Sequence, residues 1–126
     1  MDTEEIKELV ESRAWSEDNA RVSVRAEHKC EYCGLDFFAS VSNYCLWQKD
    51  HIVPIKHGGT DEMSNYAAAC FPCNVVFKAQ WNPKNHTGSD ASREQLVAVP
   101  RDYIAGKRLQ AELHLESQRK MVRWNR

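Results

Sequence analysis

The sequence lacks the features that mark membrane-spanning, secreted and strongly charged proteins. It has no run of about 18 apolar residues, so we expect no segment that spans a bilayer. Residues 1–5 are acidic and lack the basic and apolar regions of a secretory signal, which predicts a cytoplasmic protein. There is no excess of charge either, because 17 basic and 18 acidic residues leave a net charge of −1. That balance neither indicates nor excludes a nucleic-acid partner.

The composition is that of an ordinary globular chain. Of the 126 residues, 42% are hydrophobic and 28% are charged, which excludes a disordered or collagen-like polymer. No internal repeat or low-complexity tract divides the sequence. Since a chain of this length usually forms one hydrophobic core, we expect a single domain spanning residues 1–126.

Five cysteines are the most informative feature. Four of them form two C-x-x-C pairs, Cys30 with Cys33 and Cys70 with Cys73, and Cys45 is left over. In a reducing compartment two such pairs favour metal binding over disulfides, and together they complete the tetrahedral sulfur shell of structural zinc. Two alternatives stay open: a redox dithiol with the same spacing, and reduced cysteines packed as small hydrophobic side chains. Cys45 lies in an apolar stretch, and we expect it to be a buried core thiol.

The segment between the two pairs is longer than a simple zinc ribbon requires. It contains 36 residues, whereas the pairs of a ribbon lie roughly 15–20 residues apart. Residues 45–53 and 66–69 are predicted to be strands within this insert. A helix is predicted to begin at the second cysteine pair and to end at Asn82-Pro83. A zinc ion would therefore clamp the two ends of a hairpin.

Helices are predicted on both sides of this core. The pattern favours helices over residues 3–13 and from Ser16 to about 28, each with acidic residues in its first turn. After the core, a capping-box pattern begins at Ser92. Pro100 is expected to interrupt the helix that begins there. Residues 101–123 are then predicted to form a long helix whose apolar stripe includes Ile104, Ala111, Leu115 and Val122.

Five short motifs follow one another in this region. They are Cys-Glu-Tyr-Cys-Gly, Asp-His-Ile-Val-Pro, Gly-Gly-Thr-Asp, Asn-Tyr and Cys-Phe-Pro-Cys-Asn, beginning at positions 30, 50, 58, 65 and 70. In this order the chain resembles the zinc-containing HNH endonucleases over residues 21–81. The resemblance implies a ββα-metal fold, in which a hairpin and a helix hold one catalytic ion. It also implies hydrolysis of DNA that leaves 5′-phosphate and 3′-hydroxyl ends.

The residue types at these positions suit that chemistry. Breaking a phosphodiester needs a base for the attacking water and a cation for the developing charge. Histidine is the side chain whose unperturbed pKa lies near neutrality, so His51 is the candidate base. By resemblance, Asp50 is a ligand of the catalytic ion, His51 activates water, and Asn74 supplies the second ligand. One carboxylate and one amide leave open positions on an ion such as Mg²⁺ or Mn²⁺.

Two further residues complete the predicted site. The resemblance implies that the amide of Asn65 holds the loop backbone and so orients the catalytic histidine. Lys78 follows Asn74 by one helical turn on the same face, where it could contact the scissile phosphate or the leaving oxygen. Many relatives carry a basic residue three positions after that asparagine, where this chain has Phe77. Each residue also has an ordinary structural interpretation, as a surface pair, a turn or helix cap, or a solvated lysine.

The charge is neutral in sum but unevenly distributed. Residues 1–18 carry seven acidic and two basic side chains, whereas residues 91–126 carry eight basic and four acidic ones. Basic side chains supply the salt-dependent affinity for DNA, so Arg108 and Arg119 of the last helix are candidate nucleic-acid contacts. The alternative is a solvated amphipathic helix that packs on the core through its apolar stripe.

These patterns and the resemblance together predict a small α+β protein. The resemblance implies a ββα-metal core at residues 21–81, and the patterns predict a Cys₄ zinc site and helical flanks at 1–20 and 91–126. The predicted function is a metal-dependent endonuclease that acts on double-stranded DNA with Mg²⁺ or Mn²⁺. A homodimer or a partner protein is left open. The alternative function is a non-catalytic Cys₄ zinc module that binds DNA or protein, which would need the cysteines but not His51.

Overall fold

A computed structural model describes residues 2–122, and in them helices flank a two-stranded sheet. The α-helices and β-strands follow in the order α1 (Thr3–Glu11), α2 (Glu17–Arg25), α3 (Val41–Tyr44), β1 (Trp47–His51), β2 (Tyr66–Cys70) and α4 (Arg93–Met121). A π-helix spans Pro72–Lys78, and 3₁₀ turns span Ile55–His57, Met63–Asn65 and Pro83–His86. The predicted α+β class is therefore confirmed. No helix in this described part of the chain is long and apolar enough to cross a membrane.

β1 and β2 form the antiparallel hairpin that carries the candidate site. Their register pairs Asp50 with Ala67 and His51 with Tyr66. β2 is buried along its whole length, and its three central alanines let neighbouring elements approach closely. In β1 only Asp50 is buried, so the pleat directs one carboxylate into the interior. Both strands lie where they were predicted, with ends displaced by one or two residues.

α1 and α2 pack against each other around a small core of their own. Asp2 and Ser16 cap them, because each side chain accepts a hydrogen bond from the backbone N–H three residues later. Ile6 of α1 is buried against Ala20 and Val24 of α2. Both helices were predicted at these places, and both end two or three residues earlier than predicted.

α4 corrects the prediction that Pro100 interrupts the last helix. The helix begins after a complete capping box at Ser92 and continues through Pro100 without a break. Proline removes one backbone hydrogen bond from a helix. Here, however, Val97, Pro100 and Ile104 are all buried on one face, and this packing holds the helix together across the proline. The predicted end at Arg123 lies outside the described residues.

The second half of α4 is exposed. Of the predicted apolar stripe, Ile104 is buried, whereas Ala111, Leu115 and Val122 are exposed. The stripe therefore attaches α4 to the main core only through the first half of the helix.

Cys45 is exposed, which contradicts the predicted buried thiol. It follows α3, a surface turn of helix that the sequence pattern did not predict and in which Val41 is 80% exposed. Its neighbours Leu46 and Trp47 take the half-buried positions against the main core. The apolar stretch does reach the core, but it does so one residue after the cysteine.

Candidate functional site

The two cysteine pairs come together at one end of the hairpin. The sulfur atoms of Cys30, Cys33, Cys70 and Cys73 all lie within 4.8 Å of one another, and those of Cys33 and Cys70 are 3.6 Å apart. Four thiolates at a Zn–S distance of about 2.3 Å have sulfurs about 3.8 Å apart in a tetrahedron. The donor set and its spacing therefore fit one zinc ion.

Local backbone geometry directs these sulfurs towards one point. Gly34 follows the first pair with φ of 81°, which glycine adopts without strain, and its N–H donates to the carbonyl oxygen of Cys30. Cys70 ends β2, and Cys73 lies at the start of the π-helix. The sulfur of Cys30 also accepts hydrogen bonds from the backbone N–H groups of Cys33 and Cys70. Such donors stabilise a thiolate.

Arg108 lies against the sulfur cluster. One guanidinium nitrogen is 3.1 Å from Sγ of Cys73 and 3.7 Å from Sγ of Cys70. The same group lies over the ring of Phe77, 4.8 Å from its centroid. A Zn²⁺ ion with four thiolates has a net charge of −2, and the guanidinium offsets part of it. Arg108, which the sequence suggested as a DNA contact, thus directs its charge to the cysteines. It also links α4 to the candidate zinc site.

A second concave surface lies at the opposite end of the hairpin, where β1 ends. It is a cavity of about 450 Å³ whose lining includes Asp50, His51 and Asn74. Two basic residues, Lys49 and Lys56, also line it. The remaining lining residues are Pro54, Ile55, Ala79 and Gln80. The structure therefore brings the three predicted catalytic-centre residues to one surface, together with two cations that could attract phosphate.

Asp50 is a buried carboxylate with two strong partners. Its Oδ2 accepts a hydrogen bond from the Tyr32 hydroxyl at 2.6 Å and lies 3.1 Å from Nζ of Lys78. Burial raises the pKa of Asp50 above its ordinary value, while the charge of Lys78 and the Tyr32 hydrogen bond act against this rise. Burial and the charge of Asp50 raise the pKa of Tyr32 well above its ordinary value, so this phenol remains a hydrogen-bond donor.

Lys78 is buried rather than solvated. Its side chain has no exposed surface, and Nζ also donates to the carbonyl oxygen of His51 at 3.3 Å. It lies at the end of a π-helix, Pro72–Lys78, whose last turn is closed by a hydrogen bond from the N–H of Ala79 to the oxygen of Asn74. Lys78 does not line the cavity that contains Asn74. Its ammonium therefore acts on Asp50 in this structure.

Asn74 presents an oxygen that is available to a ligand. Its Nδ2 donates to Oε1 of Gln48 at 2.7 Å, which fixes the orientation of the amide. Its Oδ1 accepts no hydrogen bond from any residue in the described range 2–122. A carboxylate oxygen and an amide oxygen on one cavity are the hard donors that Mg²⁺ or Mn²⁺ prefers. The Oδ1 atom of Asp50 is the less occupied of its two oxygens, with Lys78 Nζ at 3.5 Å.

Asn65 fastens the loop between the strands. Its Oδ1 accepts from the N–H of Val53 at 2.9 Å, and its Nδ2 donates to the carbonyl oxygens of Val53 and Thr60 at 3.0 and 2.9 Å. Gly59 packs so tightly on this point that a Cβ atom there would lie 1.8 Å from the Val53 oxygen. The amide thus holds the backbone directly after His51.

His51 makes a contact that the sequence did not predict. Its Nε2 is 2.7 Å from Oδ1 of Asp61, and its ring meets the Tyr66 ring edge-on at 5.3 Å. The hydrogen bond with His51 lowers the pKa of the Asp61 carboxyl. Asp61 belongs to the Gly-Gly-Thr-Asp motif, so its position was visible in the sequence although its partner was not.

The structure also places one basic residue that was predicted to bind nucleic acid and two that were not predicted. Arg119, predicted to bind nucleic acid, forms ion pairs with Glu112 and Glu116 of its own helix at 3.4 and 3.1 Å. Lys49 and Lys56 were not selected from the sequence, yet they flank the Asp-His-Ile-Val-Pro motif on both sides. Since lysines are common on any protein surface, their position alone gave a weak signal.

Comparison with known proteins agrees with the central part of this description. The family model for HNH endonuclease matches residues 30–76, which include both cysteine pairs, the hairpin and Asn74. No curated protein and no solved structure matches the chain. The predicted resemblance is therefore confirmed for this segment, and it supports a nuclease-type function.

Proposed function

We propose that the protein is a metal-dependent endonuclease that hydrolyses phosphodiester bonds of double-stranded DNA. In this proposal His51 is the general base, and Asp50 and Asn74 hold one Mg²⁺ or Mn²⁺ ion. The observation that carries the proposal is the shared cavity of these three residues, inside a segment that matches the HNH endonuclease family. The Cys₄ cluster would hold structural zinc, which suits a reducing compartment such as the cytoplasm.

The proposed base accepts the proton through Nδ1 of His51, the ring nitrogen that makes no hydrogen bond to another described residue. Because Nε2 of His51 contacts a carboxylate, the ring proton of neutral His51 lies on Nε2 and Nδ1 can accept a proton from water. Asn65 holds the loop backbone from which His51 projects into the cavity. A water placed between Nδ1 and the phosphorus atom would lose its proton as it attacks.

The remaining residues act on the phosphate and on the ion ligand. A divalent ion held by Asp50 and Asn74 would stabilise charge on the phosphate and on the leaving oxygen. The charge of Lys78 favours the ionised form of Asp50 and its contact fixes the carboxylate in position, so we propose that Lys78 supports the scissile-phosphate site through Asp50. Lys49 and Lys56 are the proposed contacts to the DNA backbone at the cavity, and Arg119 is a weaker candidate because Glu112 and Glu116 already bind it.

Plasmid cleavage tests the proposal. Zinc-loaded wild-type protein, His51→Ala and His57→Ala are incubated with supercoiled plasmid and Mg²⁺ or Mn²⁺, after their zinc contents have been matched. His57 is an exposed histidine in the same loop, so it controls for the loss of an imidazole. We expect His51→Ala to lose about 10²- to 10⁴-fold in rate, as for loss of a general base, and His57→Ala to cleave like the wild type.

Two results would contradict the nuclease proposal. The first is equal cleavage by wild type and His51→Ala, and the second is no cleavage by the wild type with any divalent ion. Zinc-dependent DNA binding without cleavage would instead favour the non-catalytic Cys₄ module. Competition with single-stranded oligonucleotides shows which form of DNA is preferred, and gel analysis of the 5′ ends tests for the expected 5′-phosphate products.

A further inference from the structure

We propose that Asp61 is a positioning residue that orients His51 for proton transfer. The inference rests on the proposed function, in which His51 is the general base, and it adds a residue that has no place in that mechanism so far. It follows from one contact and from the way in which the structure holds both partners of that contact.

The contact fixes which nitrogen faces the substrate. Nε2 of His51 lies 2.7 Å from Oδ1 of Asp61, within the range of a charge-assisted hydrogen bond. Nδ1 of His51 contacts no hydrogen-bonding group among residues 2–122. Because the His51 ring is partly exposed and lines the cavity, the carboxylate holds one edge of the ring and leaves the other edge for water.

Tyr66 holds both members of the pair. Its hydroxyl donates to the backbone oxygen of Asp61 at 2.7 Å and lies 3.4 Å from Oδ1 of the same residue. Its ring packs against the His51 ring at an interplanar angle of 76°. The residue before Asp61 is also fixed, because Asn65 donates to the backbone oxygen of Thr60. Asp61 therefore approaches His51 from a backbone that is anchored at two neighbouring points.

This geometry distinguishes positioning from simple stabilisation. The Asp61 side chain is 78% exposed, and an exposed ion pair contributes little to protein stability. A general base, in contrast, must hold its accepting nitrogen within hydrogen-bond reach of the attacking water. Loss of Asp61 should consequently lower turnover and leave folding and DNA affinity nearly unchanged.

The kinetic test compares three variants of the full chain with the wild type. In Asp61→Ala we expect kcat for plasmid cleavage to fall about 10- to 100-fold, as for loss of the carboxylate that orients a metal-binding histidine. KM should stay within about twofold. Asp61→Glu keeps a carboxylate at this exposed position, so it should cleave faster than Asp61→Ala and more slowly than the wild type. Glu62→Gln removes the neighbouring exposed charge and should cleave like the wild type.

An NMR measurement reads the contact without any need for cleavage. A hydrogen bond to a carboxylate slows the exchange of the His51 Nε2 proton with water, so at low temperature wild-type protein should give a downfield imidazole signal that is missing from His51→Ala. The same signal should be lost in Asp61→Ala and retained in Glu62→Gln. A signal that persists in Asp61→Ala would overturn the inference, whether or not the protein cleaves DNA.

The combined results separate this inference from the proposed function. Cleavage by the wild type together with a low kcat, unchanged KM and lost signal in Asp61→Ala supports both. Cleavage by the wild type with kcat of Asp61→Ala within about twofold overturns the positioning role and leaves the nuclease intact. Failure of the wild type to cleave with any divalent ion overturns the nuclease and, with it, the catalytic role of Asp61.

Discussion

The buried ion pair between Lys78 and Asp50 gives the sharpest test of the structure, and Lys78→Met is the substitution that isolates it. Methionine has a similar length and fills the buried stem position, so the cavity left behind is small. The substitution removes the ammonium 3.1 Å from Oδ2 of Asp50, whose side chain is only 6% exposed. The Tyr32 hydroxyl then remains as the close partner of the carboxylate.

The expected loss of stability can be bounded from the chemistry of Asp50. Breaking a buried pair by removing one partner typically costs about 3–5 kcal/mol. Asp50 can avoid that cost by binding a proton, which costs about 1.4 kcal/mol for each unit between its unfolded pKa of about 3.9 and the working pH. This limit is about 5 kcal/mol at pH 7.5 and about 2 kcal/mol at pH 5.5. We therefore expect Lys78→Met to be destabilised by about 3–4 kcal/mol at pH 7.5 and by no more than about 2 kcal/mol at pH 5.5.

The direction of this pH dependence follows from the raised pKa of Asp50. A carboxyl whose pKa is higher in the folded than in the unfolded chain favours folding fully only below the unfolded pKa, and this contribution is lost as the pH rises through the folded pKa. Burial already raises the pKa of Asp50, and loss of Lys78 raises it further. The loss of unfolding free energy in Lys78→Met, relative to the wild type, must therefore increase as the pH rises from acidic towards neutral.

Urea unfolding of zinc-loaded protein at the two pH values measures these differences. Thermal unfolding gives a second readout, in which about 3 kcal/mol corresponds to a decrease in Tm of about 10 °C. Lys84→Met is the matched control, because Lys84 is exposed and an exposed substitution usually changes stability by less than about 0.5 kcal/mol. A Lys78→Met protein as stable as the control at pH 7.5, or a deficit that grows on acidification, would refute the buried ion pair.

The other predictions concern the cysteines. In Arg108→Met the thiolates lose their cationic partner, and we expect zinc to pass to a chromophoric chelator about tenfold faster. Lys107→Met, at an exposed position, is the control. Equal transfer rates in the two variants would contradict the contact between Arg108 and the cysteine sulfurs. In zinc-loaded native protein we expect iodoacetamide to modify Cys45 alone, because it is exposed and the other cysteines hold metal. Mass spectrometry after zinc removal should then find all five cysteines modified, and an unmodified Cys45 in the loaded protein would show that it is not exposed.

The parts of the fold that the sequence predicted are those determined by local rules. The C-x-x-C spacing places two sulfurs on one tight turn, so two such pairs in one chain were enough to predict a shared metal site. Residues such as Ser16 and Ser92 mark helix starts because the cap hydrogen bond spans only three residues. The two strands were predictable for the same reason, since each strand pattern lies within a few consecutive residues.

Long-range contacts decided the features that were wrong or missing. Pro100 obeys the local rule by removing a hydrogen bond, but the burial of Val97 and Ile104 beside it outweighs that loss. Arg108 is indistinguishable in the sequence from a basic residue of a solvated helix. Only the fold reveals that its guanidinium reaches Cys73, 35 residues earlier in the chain.

The placement of Lys78 shows how a change in helix winding can hide a contact in the candidate site. In an α-helix with 3.6 residues per turn, residues four apart are rotated by about +40° around the axis. In a π-helix of roughly 4.4 residues per turn, the same separation gives about −30°. The difference of about 70° is enough to move a side chain from one neighbour to another, and here Asn74 faces the cavity while Lys78 lies beneath it on Asp50. Helical periodicity assumes α winding, so it assigned both residues to one face. If the π winding places Lys78 on Asp50, then removing one residue between Asn74 and Lys78 should restore α winding. The ammonium of the lysine should still reach the Asp50 carboxylate, because residues three apart in an α-helix are rotated by about −60°.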